Sequence, residues 1–226
     1  MKMRKVFLVA FVFPFITIMT AMSQSSAIKY LALGDSYTIG ESVAQQQTFP
    51  FLLSKELTVK KYIVGQPTVI ARTGWTTDEL LSAMDKTDLS NIYELVTLLI
   101  GVNNQFRGYP IKEYEKEFTR LLDRAIVLAK SKKERVVVLS IPDYGCTPFG
   151  AGNKVKIGKE IDAFNEVNKR IALKKGVHYV DITPISRQVS TESGLVADDH
   201  LHPSGYMYKL WTALLLPVVE QALSLD

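Results

Sequence analysis

The chain has 226 residues, 47% of them hydrophobic, which suits a folded domain with a full core and excludes a disordered chain. Its formal net charge is +4, but Lys2, Arg4 and Lys5 supply three of those charges. The remainder is near neutral and lacks the basic surplus that would point to nucleic acid. Cys146 is the only cysteine, so no intrachain disulfide can form.

Residues 1–23 read as a secretory signal peptide. Lys2, Arg4 and Lys5 form its positive region, Val6 to Met19 its uncharged apolar core, and Ala21-Met22-Ser23 its small-residue cleavage site. Cleavage before Gln24 is expected, leaving residues 24–226 as the mature domain, exported to the periplasm or the medium. The competing reading is an uncleaved anchor, but the core is short against the span of about 17–25 residues that a bilayer needs. No stable membrane span is expected in the mature chain.

After the signal, Ala27 to Leu33 is the first strand, an apolar run that stops at Gly34-Asp35-Ser36-Tyr37. Gly40 to Gln47 is polar loop, and Phe49 to Leu57 a helix with Pro50 in its first turn. Thr68 to Ala71 is a short strand ending at Arg72-Thr73-Gly74-Trp75. A helix capped by Thr76 or Thr77 follows through Met84. Leu95 to Ile100 is a buried strand that delivers Gly101-Val102-Asn103-Asn104. Ile111 to Lys130 repeats apolar residues at helical spacing. Arg135 to Ile141 is a strand, Ile157 to Ile171 an amphipathic helix, Val177 to Ile182 the last strand, and Pro203 to Leu223 the closing helix. Strand and helix alternate about five times, with no repeat and no flexible linker, which predicts a single three-layer α/β/α domain on a mostly parallel sheet of about five strands.

In such sheets the site lies outside the carboxyl ends of the strands. Ser36, Gly74 and Asn103 stand at three of those ends, and Asp199-His200-Leu201-His202-Pro203 precedes the final helix. Ser36 has two readings there, a nucleophile or the cap of the next helix. The set suits acyl transfer. A serine hydroxyl needs a base to take its proton, and histidine is the usual one. The imidazole in turn needs a carboxylate, which Asp199 supplies three residues from His202. The oxyanion needs fixed donors, for which the Ser36 and Gly74 N–H groups and the Asn103 amide are candidates.

These four blocks resemble those of the SGNH hydrolases, the GDSL-like lipase/esterase superfamily, in order and rough spacing across the mature chain. The resemblance implies a flavodoxin-like α/β fold and a cofactor-free serine hydrolase acting on a small-molecule or polysaccharide-borne ester. It implies Ser36 as nucleophile, His202 as base, Asp199 as its orienter, and Ser36, Gly74 and Asn103 as the oxyanion hole. Tyr37 replaces the family's usual Leu, and Asn104 stands where the family usually has Asp. Alternatives are a non-catalytic sugar- or lipid-binding domain, a thioesterase, or a carbohydrate O-deacetylase.

The remaining polar and aromatic residues have plainer readings beside the functional ones. His200 lacks a carboxylate three positions upstream, where Ala197 sits, and His178 opens a strand. Cys146 reads as a small packed residue. Trp75, Asn104, Phe106, Arg107 and Tyr144 are candidates for lining the substrate site, with ordinary packing or solvation as the competing role. Asp35 is expected to hold its turn. No His/Cys spacing suits a metal, and no phosphate-loop motif occurs.

Overall fold

The computed structural model of the chain describes residues 1–3, 27–89 and 92–224. The expected signal peptide and its cleavage site fall outside these residues, apart from the first three. In chain order the elements are β1 (Tyr30–Gly34), α1 (Ser36–Ile39), α2 (Phe49–Val59), β2 (Thr68–Ala71), α3 (Thr77–Lys86), β3 (Leu95–Leu99), α4 (Val102–Phe106), α5 (Ile111–Leu128), β4 (Val136–Leu139), α6 (Lys154–Lys175), β5 (His178–Val180), α7 (Thr183–Ser186) and α8 (Gly205–Ser224). The five strands form one sheet in the order β2-β1-β3-β4-β5, and every neighbouring pair is parallel.

The expected α/β alternation is therefore present, and its cause is visible in the strands. Every residue of β1, β3 and β4 is buried. Helices cover both faces, so these strands have no polar side to alternate with. On α5 the buried residues are Tyr114, Phe118, Leu121, Leu122 and Ala125, the spacing of one helical face.

Three differences from the sequence reading share one reason. Very short helices, α1, α4 and α7, begin at or just after the ends of β1, β3 and β5. Each has four or five residues, too few for a hydrophobic period to show in sequence. β1 starts at Tyr30 rather than Ala27, with Ile28 making an isolated bridge to Val64. β5 shrinks to His178–Val180 because it pairs on one side only, with β4.

Strand order positions the site. From β1 the chain moves outward to β2, then returns past β1 to β3. Ligands bind at this reversal in sheets of this order. Gly34 and Leu99 are register partners, so the segments after β1 and β3 leave the sheet side by side.

Candidate active site

The segment after β1 carries Ser36. Asp35 is the N-cap of α1, and its Oδ1 accepts the Tyr37 N–H at 3.0 Å. Ser36 is thus the first residue of the helix, and the capping job that was its alternative reading belongs to Asp35. Gly34 is required for space rather than for turn conformation. A Cβ there would lie 2.0 Å from Thr38 Oγ1 and 2.4 Å from the Leu99 carbonyl. The close approach of β1 to β3 leaves no room for a side chain.

Ser36 opens onto a crevice of about 90 Å³, lined with Tyr37, Val102, Asn103, Phe106, Tyr144, Phe149, Leu201 and His202. Residues from the start, middle and end of the sequence therefore meet at one rim. His202 is nearly buried, at 9% exposure, so its ring has few orientations open to it. Its Nδ1 lies 2.6 Å from Asp199 Oδ2. The edge of the Tyr37 ring packs on the imidazole, centroid to centroid 5.8 Å, and Tyr37 rests in turn on Trp211 of α8. Tyrosine in place of leucine at this position gives the histidine an aromatic wall.

Asp199 is a well-supplied acceptor. Oδ1 accepts the N–H groups of Leu201 and His202, and Oδ2 accepts the Ser42 hydroxyl at 2.6 Å besides facing the imidazole. Partial burial pushes its pKa up, but the Ser42 hydroxyl and the Leu201 and His202 donors outweigh this and hold it well below the usual carboxylate range. The carboxylate facing the imidazole is therefore held in its charged form.

On the opposite side, Asn103 is the second residue of α4. Its Nδ2 donates to the Trp75 carbonyl at 3.0 Å, which fixes the amide plane and leaves the second N–H of the same group. The bond also brings the Gly74-Trp75 turn beside Asn103. Gly74 has φ +86°, a left-handed conformation that other residues adopt at a cost. The Arg107 guanidinium donates to its carbonyl at 2.6 Å and pairs with Glu79 at 3.3 Å.

Of the five residues considered for substrate contact, Phe106 and Tyr144 line the crevice. Trp75 and Arg107 stand outside that lining. Trp75 packs against the core, and Arg107 clamps the Gly74 turn from behind. Asn104 is fully buried and touches no substrate space. Its Oδ1 accepts the Thr77 N–H at 3.0 Å and its Nδ2 donates to Thr77 Oγ1 at 2.7 Å. The hydroxyl of Thr77 gives its one proton to Glu117 Oε2 at 2.5 Å, so it can only accept from residue 104. An amide meets that need and a carboxylate does not. This accounts for asparagine where the family usually has aspartate.

Sequence reasoning missed Ser42, which has no local signal because its partner is 157 residues away. It also missed Phe149, whose N–H binds the His200 carbonyl at 3.1 Å. His200 is otherwise exposed with φ +63° and does not line the crevice. Burial pushes the Cys146 thiol pKa up, away from reactivity. Among the described residues no group of three or more His, Cys, Asp or Glu is placed to hold a metal ion, and no helix is long and apolar enough to cross a membrane.

The chain matches the model of the GDSL-like lipase/acylhydrolase family over residues 32–210. Comparison with curated proteins finds no match. Among solved structures, a lipolytic protein of the G-D-S-L family from Veillonella parvula superimposes with a TM-score of 0.68 at 16% identity, over 86% of this chain and 100% of that one. A psychrotrophic esterase from Pseudoalteromonas sp., inhibited by monoethylphosphonate, gives 0.67 at 17% identity, over 87% and 99%. An acetylxylan esterase from Geobacillus stearothermophilus gives 0.64 at 19% identity, over 89% and 96%. At these identities the structures speak for the fold, while the family model spans the segment from β1 into α8. The chain belongs to the GDSL-like lipase/acylhydrolase family and is a serine hydrolase of carboxylic esters.

Proposed function

We propose that the chain is an exported esterase for short acyl groups, with Ser36 as nucleophile, His202 as base, and Asp199 as the carboxylate that orients it. The observation that carries this reading is the crevice itself. It gathers Ser36, Asn103 and His202 around one gap while Asp199 holds His202 from behind.

The chemistry follows from the hydrogen bonds. Asp199 accepts a hydrogen bond from His202 Nδ1–H, so the lone pair on Nε2 is free to receive the Ser36 proton. The serine oxygen then attacks the ester carbon. The oxyanion forms between the Ser36 and Gly74 N–H groups and the second amide N–H of Asn103, already fixed by the Trp75 carbonyl. Collapse expels the alcohol, which takes its proton from His202. Water then enters, gives a proton to His202 and attacks the acyl-enzyme carbon. Collapse of that second intermediate returns a proton to Ser36 and releases the acid.

Size supports the short acyl group. About 90 Å³ is well under the roughly 300–1,000 Å³ of sites that enclose drug-sized ligands. Phe106, Tyr144 and Phe149 close one side, with ring centroids 6.1 to 6.3 Å apart. Across these rings lies a cleft of about 410 Å³ lined also by Gln105, Asn153, Lys156 and Glu160. We assign the acyl group to the crevice and the alcohol to that polar cleft. The cleft, with the likeness to an acetylxylan esterase, favours an acetylated sugar as one such substrate.

A series of p-nitrophenyl esters tests the reading, with acetylated sugars and an acyl thioester alongside. kcat/KM is expected to be highest for acetate to butyrate and at least about ten-fold lower for octanoate, the loss when a chain cannot be accommodated. A maximum at long chains overturns the size argument. A fluorophosphonate should label Ser36, as the phosphonate-inhibited relative suggests, and folded protein that resists labelling would favour a non-catalytic binding domain. Export is checked by the N-terminus of protein recovered from outside the cytoplasm, expected at Gln24.

A further inference from the structure

The turn formed by residues 40–43 makes contacts for which the ester chemistry above has no use. Ser42 lies in it with φ +67°, a left-handed conformation that costs a residue with a side chain. Such an outlier invites the question of what its side chain gains. The hydroxyl donates to Asp199 Oδ2 at 2.6 Å, the same oxygen that faces His202 Nδ1 at 2.6 Å. The neighbouring Glu41 carboxylate accepts the Thr73 hydroxyl, next to Gly74. The N–H groups of Gly40 and Glu41 both bind the Ser36 carbonyl, at 2.9 and 3.1 Å. One turn therefore reaches the residue that bears the hydroxyl, the neighbour of Gly74, and the carboxylate behind the imidazole.

Asp199 has reason to need this partner. Its side chain is 29% exposed, so water competes for Oδ2. The two backbone donors hold Oδ1 only. A second donor on Oδ2 fixes the direction from which that oxygen meets the imidazole, and its donor comes from the far end of the chain.

We propose that Ser42 is a positioning residue, whose hydroxyl locks the Asp199 carboxylate in the orientation that accepts the hydrogen bond of His202 Nδ1–H. This rests on the reading of His202 as the base. Ser42 touches no substrate, so its effect should fall on kcat rather than KM.

Two variants separate the hydroxyl from the backbone. Ser42→Gly removes the donor and suits the left-handed conformation, so the fold is expected to hold. Ser42→Asn also tolerates that conformation and restores a donor. With p-nitrophenyl acetate, Ser42→Gly is expected to lose about ten-fold in kcat, the scale of one hydrogen bond to a charged group, with KM nearly unchanged. Ser42→Asn should recover most of it. The low-field proton resonance of His202 Nδ1–H should shift in Ser42→Gly and return toward its original position in Ser42→Asn. Wild-type kcat in Ser42→Gly, in a protein that Ser36→Ala silences, overturns this proposal and leaves the esterase mechanism standing. A loss that Ser42→Asn does not restore, with the resonance unmoved, overturns it as well. Turnover that survives Ser36→Ala overturns both.

Discussion

The turn after β1 and the loop before α8 each place an aspartate close to a residue of the proposed mechanism, Ser36 or His202, and the two carboxylates are shifted in opposite directions from the usual range. Asp35 is 1% exposed, and Tyr37 N–H is the donor on Oδ1 while Oδ2 is buried without a partner. Burial dominates and raises its pKa to about 7. Asp199 is more exposed, yet donors from Ser42, Leu201 and His202 keep it ionised well below its ordinary pKa. Depth of burial and donor supply together separate a carboxylate that can support an imidazolium from one that caps a turn. The contrast supports the role proposed for Asp199 and leaves Asp35 to the architecture of its turn.

The sharpest way to break this contrast is to exchange each carboxylate for an amide. Asp199→Asn should cost about 10³–10⁴ in kcat, because an amide N–H facing Nδ1 forces the other tautomer and leaves Nε2 protonated. Steady-state kinetics checks it, with thermal unfolding to show that the fold persists. A loss of only a few-fold would mean that some other group orients His202. Next in size, Asn103→Ala should lower kcat by about 10²–10³, the cost of one oxyanion donor. A change confined to KM would place the amide on the substrate rather than on the oxyanion.

Asn103 and Asn104 sharpen the same lesson between neighbours. One faces the crevice and the other is sealed behind Thr77. Asn104→Asp should therefore act on stability first, by about 1–3 kcal/mol, because the Thr77 proton is committed to Glu117 and two oxygens would meet without one. Adding Glu117→Gln frees that proton and should return part of the loss, seen as a non-additive pair in a double-mutant cycle. Strict additivity would contradict the proton assignment.

Much of this was legible in the sequence, and the boundary of legibility is physical. Buried strands announce themselves as apolar runs, so β1, β3 and β4 stand out, and so do the blocks at their ends. The pair Asp199 and His202 is visible because both lie in one short loop. Ser42 and Phe149 were invisible because their partners, Asp199 and His200, lie on a distant segment and no local pattern records such a contact. Asn104, Trp75 and Arg107 sit in or near the right blocks but outside the crevice lining, and the direction of a side chain on a one-turn helix or a tight turn depends on packing that the sequence does not display.

The smallest effect on turnover is expected from the other half of the exchange. Asp35→Asn keeps an Oδ1 to accept Tyr37 N–H, and asparagine is as good a cap as aspartate, so kcat should stay within about three-fold. Its consequence lies in stability against pH. The folded pKa of Asp35, about 7, is above its unfolded value of 3.8, so between those two pH values the folded state holds a proton that the unfolded state has lost. Stability contributed by that group is present below the lower value and declines as pH rises, by up to about 1.4 kcal/mol per pH unit, levelling off above the higher one. Relative to the wild type, Asp35→Asn should therefore gain stability steadily from about pH 4 to pH 7, whatever its offset at low pH. Denaturant unfolding of both proteins across that range measures the difference directly. Parallel curves would mean that Asp35 is ionised in the folded protein, and the contrast between the two carboxylates would then have to rest on geometry alone.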